Sequence, residues 1–397
     1  MTRIAVVSPE FPVPDEPHRG QPIYMTILGL TSCPGIELEV FCPTATYPAL
    51  LNHRFNRAWI QALKDHSPPG VRAHYFGYPA LPAISRPTNG YMSAYTLLPR
   101  LRAFRPDLIL AYWLYPEGFG AVTAGKYLGV PVVVGARGTD LRWIQDRVSR
   151  YFVRKTLRQA DAVLTVSEEL RRCAIELGAE PSHAHSILNG CDSSVFHYRD
   201  RDEARACLGL DKASKLILYV GRLVAAKGLL ELILAMGDLV RQDPAFHLYC
   251  IGDGEFSAPM TAKANELQVM EHIHFLGNQL PRDVAAWMCS ADVFCLPSHT
   301  EGCPNVIIES MSCGTPVVAT HVGGIPELVD RESGITVPPY QSEPLASALR
   351  LACSQDWNRV QISQRLQRGW GKVAQETLAV CQAVLSADPR RSSRGKS

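Results

Sequence analysis

The sequence predicts an α/β protein of two doubly wound, parallel-sheet domains, and three observations carry that expectation. Continuous apolar runs at 107–111 and 129–135 lack the polar alternation of a half-exposed sheet, as do strands covered on both faces. Glycine and proline, 29 of each, suit many short strand-to-helix connections. A chain of 397 residues with 46% hydrophobic content can fill two separate cores.

In chain order, residues 3–8 form the first strand candidate, followed by a proline-rich loop to about Gln21. That loop lacks the GxGxxG of a dinucleotide site, which argues against an NAD enzyme. Gly20 opens a helix running to about Leu30, and 37–43 and 71–76 read as further strands. Between the 107–111 and 129–135 runs lies Tyr112-Trp-Leu-Tyr-Pro-Glu-Gly-Phe119, a loop at a strand's carboxyl end, where open α/β sheets bind ligands. Trp113 and Tyr115 there suit stacking on a sugar face and equally suit plain packing. The next loop, 136–141, carries Arg137 and Asp140, close enough in sequence for an ion pair. The basic segment 141–160, with Trp143, Tyr151 and Phe152, reads two ways: an amphipathic helix meeting an anionic membrane, or a surface helix with its cations in water. Residues 162–166 form a strand and Ser167 caps a helix over 168–177. Asn189-Gly190 signals a turn, and the charged stretch 197–213 bridges to a second domain.

That domain opens at Leu216 as strand, loop and helix. Gly221 permits close backbone approach, and Arg222 and Lys227 place two cations at one loop, as a diphosphate needs. A strand and glycine turn ending at Gly254 follow, then a strand over 291–296 and a short helix over 304–313. Pro304 stands at its first turn, Gly314 at its C-terminal cap, and Pro316 forbids continuation. Asn305 and Glu309, four apart, share one helix face, while Ile307, Ile308 and Met311 turn toward a core. The helix start is an anion seat, with Glu301 in the loop before it. Two carboxylates beside an anion seat make sense for a ligand carrying both phosphates and hydroxyls: Glu309 accepting from a ribose diol, Glu301 from hexose hydroxyls. A capped helix with merely solvated acids is the alternative, and spacing alone leaves both open.

A formal charge of +2 suggests no nucleic-acid partner. Twelve cysteines without a CxxC pair suggest reduced thiols rather than disulfides or a zinc site. The N-terminus reads as a strand rather than a signal peptide, and no window reaches twenty apolar residues, so a cytoplasmic protein is expected. Residues 388–397 are polar and basic, and are expected to be disordered.

Glu301-x7-Glu309 with Gly302-Cys-Pro-Asn-Val306 between, then Cys313-Gly-Thr-Pro-Val-Val-Ala-Thr320 and Gly323-Gly-Ile-Pro-Glu-Leu-Val329, resembles the donor-binding signature of retaining GT-B glycosyltransferases of family 4. Gly221-Arg-Leu with Lys227-Gly, and Asn189-Gly-x-Asp with Phe196, fit the same resemblance. It implies two Rossmann-like domains facing a cleft: 1–195 on the acceptor side, 196–370 binding the nucleotide sugar, and a helix at 371–387 returning to the first domain. It implies donor contacts from Gly20, Arg222, Lys227, Gly254, Glu301, Gly302, Cys303, Pro304, Asn305, Val306 and Glu309, a UDP- or GDP-sugar as substrate, and neither metal nor cofactor. Arg137, Glu301, Arg222 and Lys227 would act in catalysis, and the acceptor would be a glycan, glycolipid or polyprenyl-linked sugar in cell-surface or exopolysaccharide biosynthesis. The chain departs from the family pattern twice. A single Gly20 stands where a glycine pair is common, and Arg137 stands where the usual residue is histidine, as in a subset resembling exopolysaccharide and teichuronic-acid enzymes. A catalytically silent sugar-nucleotide binder and a soluble small-molecule glycoside synthase are the rival readings. A phosphorylase-like enzyme would need a pyridoxal-phosphate lysine in a longer chain, and an epimerase would lack the full Glu-x7-Glu block.

Overall fold

The computed structural model describes residues 1–48, 57–81, 84–142, 144, 146–366 and 368–387. Two compact units divide the chain: residues 1–188 with 370–397, and residues 189–369. Trp143 and the 388–397 tail lie outside the described residues.

The first unit is a seven-stranded sheet of order β3-β2-β1-β4-β5-β6-β7. In chain order its strands are Thr2–Val7 (β1), Ile36–Thr46 (β2), Ala73–Pro79 (β3), Leu108–Tyr112 (β4), Val132–Ala136 (β5), Ala162–Thr165 (β6) and Ala184–Ser186 (β7). Every pairing is parallel. β4 and β5 are buried along their whole length, as runs without alternation require. The order reverses between β1 and β4, so the loops after these two strands flank the crevice where such sheets bind ligands. The Trp370–Ala387 helix closes this unit: Trp370, Val373, Ala374 and Cys381 share one core with Ile4, Val6, Ile23 and Ile27.

The second unit is a six-stranded parallel sheet of order β10-β9-β8-β11-β12-β13. Its strands are Lys215–Val220 (β8), Phe246–Ile251 (β9), Ile273–Gly277 (β10), Val293–Leu296 (β11), Val317–Thr320 (β12) and Gly334–Val337 (β13). Here the order reverses between β8 and β11. The charged 197–213 stretch is more than a linker. Its Arg201–Leu208 helix carries Arg205, 1% exposed, whose Nη2 donates to Asp292 Oδ2 at 2.6 Å and whose Nε donates to Ser290 O at 2.9 Å. Asp292 also accepts from Leu216 N at 2.7 Å, so one carboxylate ties the helix to β8 and the start of β11. Removing one partner of such a buried pair costs about 3–5 kcal/mol.

The basic 141–160 segment is not one helix. A short turn, Thr139–Arg142, precedes a helix over Arg147–Gln159, whose N-cap Asp146 accepts from Ser149 N at 2.8 Å. Phe152, Val153, Thr156 and Leu157 face the protein, while Arg147, Arg150, Tyr151, Arg154 and Arg158 face water. Among the described residues, no helix is long and apolar enough to cross a membrane.

Candidate active site

Parallel strands deliver their following loops to one edge of the sheet. In the second unit, β8 and β11 are neighbours, so the loop holding Arg222 and Lys227 meets the loop holding Glu301. Lys227 Nζ donates to Glu301 Oε1 at 2.5 Å, and Ser298 Oγ donates to the same oxygen at 2.6 Å. Arg222 is exposed. Between them, buried Tyr219 donates its hydroxyl to Arg222 O at 2.9 Å. Burial raises the Tyr219 pKa first; Glu301 adds to the rise and Arg222 opposes it, so both charges lie within reach of that hydroxyl.

Gly254, in the loop after β9, is required by close approach: a Cβ there would lie 2.2 Å from Leu223 O. The 301–306 stretch is held by backbone and amide contacts. Gly324 N donates to Gly302 O at 3.0 Å, which sets the Gly323-Gly-Ile-Pro segment behind the Glu301 loop. Buried Asn189 donates from Nδ2 to Cys303 O at 3.2 Å and to Asn305 Oδ1 at 2.7 Å. Cys303 and Pro304 are buried, and Val306 is half-buried.

The helix occupies Asn305–Ser312 with Pro304 as its N-cap; no side chain caps it, which leaves its first N–H groups for a ligand. Ile307, Ile308 and Met311 are buried as the spacing predicts. Glu309 is half-exposed at its surface yet closely surrounded by protein, and burial pushes its carboxyl up to about 7. Among the described residues, no side chain or backbone donor reaches that carboxylate. The second unit thus gathers Arg222, Lys227, Gly254, 301–306 and Glu309, while Gly20 and Arg137 belong to the first.

Gly20 caps the Gln21–Thr31 helix with φ +62, and a Cβ would sit 2.3 Å from Glu10 O, so only glycine fits this turn. Arg19 Nε donates to Glu10 Oε2 at 3.1 Å across the same loop. After β4, Glu117 is buried and accepts from Tyr78 Oη at 3.1 Å; burial raises its pKa to about 7, which the Tyr78 hydrogen bond partly offsets. Sequence reasoning passed over Glu117, although an acid in a loop at a strand's carboxyl end was the available signal. Trp113 holds φ +78, a conformation costing about 1–3 kcal/mol for a bulky residue. Hydrogen bonds from Trp113 N to Gly135 O at 3.0 Å and from Gly118 N to Trp113 O at 2.8 Å maintain it.

In the loop after β5, Asp140 Oδ1 accepts from Arg137 N at 3.0 Å and Gly138 N at 2.9 Å. Asp140 therefore shapes the backbone that presents Arg137, a role that sequence proximity alone did not reveal. The half-buried Arg137 lies near buried Tyr112, whose hydroxyl pKa burial raises and the guanidinium lowers.

A family model described as Glycosyl transferases group 1 matches residues 200–369, and one described as Glycosyl transferase 4-like domain matches 26–190. TuaC of Bacillus subtilis, described as a teichuronic acid biosynthesis glycosyltransferase, is 29% identical over 325 residues, covering 79% of this chain and 80% of that protein. A D-inositol 3-phosphate glycosyltransferase of Rhodococcus opacus is 32% identical over 201 residues, 49% of this chain and 45% of its own length. Sucrose-phosphate synthase of Thermosynechococcus elongatus matches in structure with a TM-score of 0.76 at 21% identity, covering 98% of this chain and all of that one (100%). Anabaena HepE in complex with UDP and glucose matches with a TM-score of 0.71 at 19% identity, over 96% of this chain and 100% of that one. These structural likenesses show the GT-B fold. With family models matching along both units, the chain belongs to the glycosyl transferases group 1 family, that is, the family-4 glycosyltransferases, and is a glycosyltransferase.

Proposed function

We propose that the enzyme transfers a hexosyl unit with retention and without a metal. The donor is a UDP- or GDP-sugar held on the 189–369 unit, and the acceptor is a glycan or lipid-linked sugar held on the other. The observation that carries this reading is the meeting of Lys227 with Glu301 beside Arg222 at the reversal of strand order. Arg222 offers a planar fork and Lys227 a compact charge, which together with the uncapped N–H groups at Asn305 stabilise the charge that grows on the departing diphosphate. Such preorganised cations need no reorganisation as the bond breaks. Glu301 accepts from sugar hydroxyls and Glu309 from the ribose diol. Gly254, Gly302, Cys303, Pro304 and Val306 supply backbone and shape. Arg137, fully protonated near neutral pH, stabilises negative charge and does not act as a base.

The similarity to TuaC favours a cell-surface or exopolysaccharide acceptor. Release of nucleoside diphosphate from UDP- and GDP-sugars, with and without EDTA, tests the proposal. Sugar transfer with the anomeric configuration kept, at equal rates in both buffers, is expected. Loss of turnover in EDTA that magnesium or manganese restores would overturn the metal-free assignment.

A further inference from the structure

The first unit holds a cavity of about 320 Å³, at the small end of the range for small-molecule sites. Its walls are the loops after β4 and β5, through Trp113, Tyr115 and Asp140, and the first turns of two helices, through Asn89 and Ser149. Two features make it more than a surface gap. Asp140 is 7% exposed and, among the described residues, its Oδ2 has no hydrogen-bond partner, although Oδ1 takes two backbone N–H groups. Asn89 Oδ1 is likewise buried without a partner among the described residues. Buried polar atoms left unpaired cost free energy, so two of them lining one cavity point to an occupant that satisfies them.

The chemistry of that occupant follows from the lining. Both unpaired atoms are acceptors, so the ligand must donate. Arg86 Nη1 is already engaged with Asp146 Oδ2 at 2.8 Å, and Asp146 also caps the Arg147–Gln159 helix. Those two charges cancel and leave Asp140 as the remaining charged group among the described lining residues, which disfavours phosphate or carboxylate. Phe152 stacks on the Tyr115 ring at 4.9 Å, so Trp113, held in its unusual backbone conformation, is the further aromatic wall. Vicinal hydroxyls on a ring with an apolar face meet all of these conditions.

We infer that this cavity binds the terminal pyranose of a neutral glycan, its hydroxyls donating to Asp140 Oδ2 and Asn89 Oδ1 and its apolar face resting on Trp113. The site rests on the glycosyltransferase reading and names the acceptor class: a neutral sugar rather than a phosphorylated one. Because Asp140 also holds the Arg137 loop, a bound sugar would touch the carboxylate that presents Arg137.

Saturation-transfer NMR on the full chain tests this with methyl α-glucoside, α-galactoside, α-mannoside and N-acetyl-α-glucosaminide, and with glycerol 3-phosphate as the anionic probe. At least one glycoside is expected to bind in the millimolar range and more strongly than glycerol 3-phosphate. Asn89→Leu and Ser149→Phe, which fill the cavity from different helices, should each reduce that signal at least fivefold in a variant that melts as the parent does. Absence of binding by every glycoside, survival of the signal in both folded variants, or preference for glycerol 3-phosphate overturns the inference. Calorimetric titration of the same protein with UDP and with GDP reads the donor-site proposal separately. Glycoside binding without nucleotide binding sinks the donor site and keeps the cavity; nucleotide binding without glycoside binding does the reverse.

Discussion

Lys227 and Glu301, 74 residues apart, meet as a 2.5 Å ion pair at the end of neighbouring strands. The pair stands where the donor's diphosphate is proposed to bind, so an incoming phosphate competes with Glu301 for the ammonium. Lys227→Met is expected to lower turnover by about 10²–10³-fold, the cost of removing one preorganised donor to developing charge. Glu301→Gln should lower turnover while leaving affinity for free UDP or GDP unchanged or tighter, since the lysine is released. Calorimetry beside steady-state kinetics separates the two. Nucleotide affinity falling in step with turnover in Glu301→Gln would place Glu301 on the nucleotide rather than the sugar.

In the proposed donor site, Glu309 is expected to make binding pH-sensitive. Its carboxyl is raised from 4.5 to about 7 by burial. Between those values the folded chain keeps a proton that the unfolded chain has lost, so this group's contribution to stability falls as pH climbs through the window. A ribose diol donates to the ionised form, so donor binding expels the proton. Affinity for UDP-glucose or GDP-mannose should therefore weaken below about pH 7, by up to tenfold per unit, and level off above it. In Glu309→Gln the slope should vanish, and Glu309→Ala should cost about 1.5–3 kcal/mol of donor binding. An unchanged slope in the folded glutamine variant removes Glu309 from the site.

Arg137 is separable from its scaffold, because Asp140 grips its backbone N–H as well as that of Gly138. Arg137→Lys keeps charge and loses the planar fork, and Arg137→Ala loses both. Both should bind nucleoside diphosphate normally and lose turnover, alanine more than lysine. Near-parental turnover in a folded alanine variant would reduce Arg137 to structure.

The exposed face of the Arg147–Gln159 helix presents Arg147, Arg150, Arg154 and Arg158 around Tyr151, 60% exposed. Its apolar residues are spent on the protein core, so any peripheral contact with anionic lipid is electrostatic. Co-sedimentation with phosphatidylglycerol vesicles should fall steeply between 50 and 300 mM salt, roughly as screening length shortens, and neutral vesicles should capture little. Equal partitioning onto both would deny this face a membrane role.

Much of the local structure around the candidate site was legible in the sequence because its determinants are local. Gly20 and Ser167 cap the helices predicted for them, and the spacing of Ile307, Ile308 and Met311 buried the face expected. Caps, turns and helix faces depend on residues within a turn of one another, so the chain states them directly. Strand order is different. Every buried parallel strand reads as the same apolar run, so nothing local says that β8 lies beside β11 or that β1 lies beside β4. Only the folded sheets decided that Lys227 would find Glu301, that Arg205 would be sealed against Asp292, and that Asn89 and Asp140 would line one cavity, an acceptor atom of each unpaired among the described residues. The tertiary structure also decided which face of the 147–159 helix stayed in water. The same arginines and aromatics were present in the sequence, but burial is a property of what packs against a helix rather than of the helix itself.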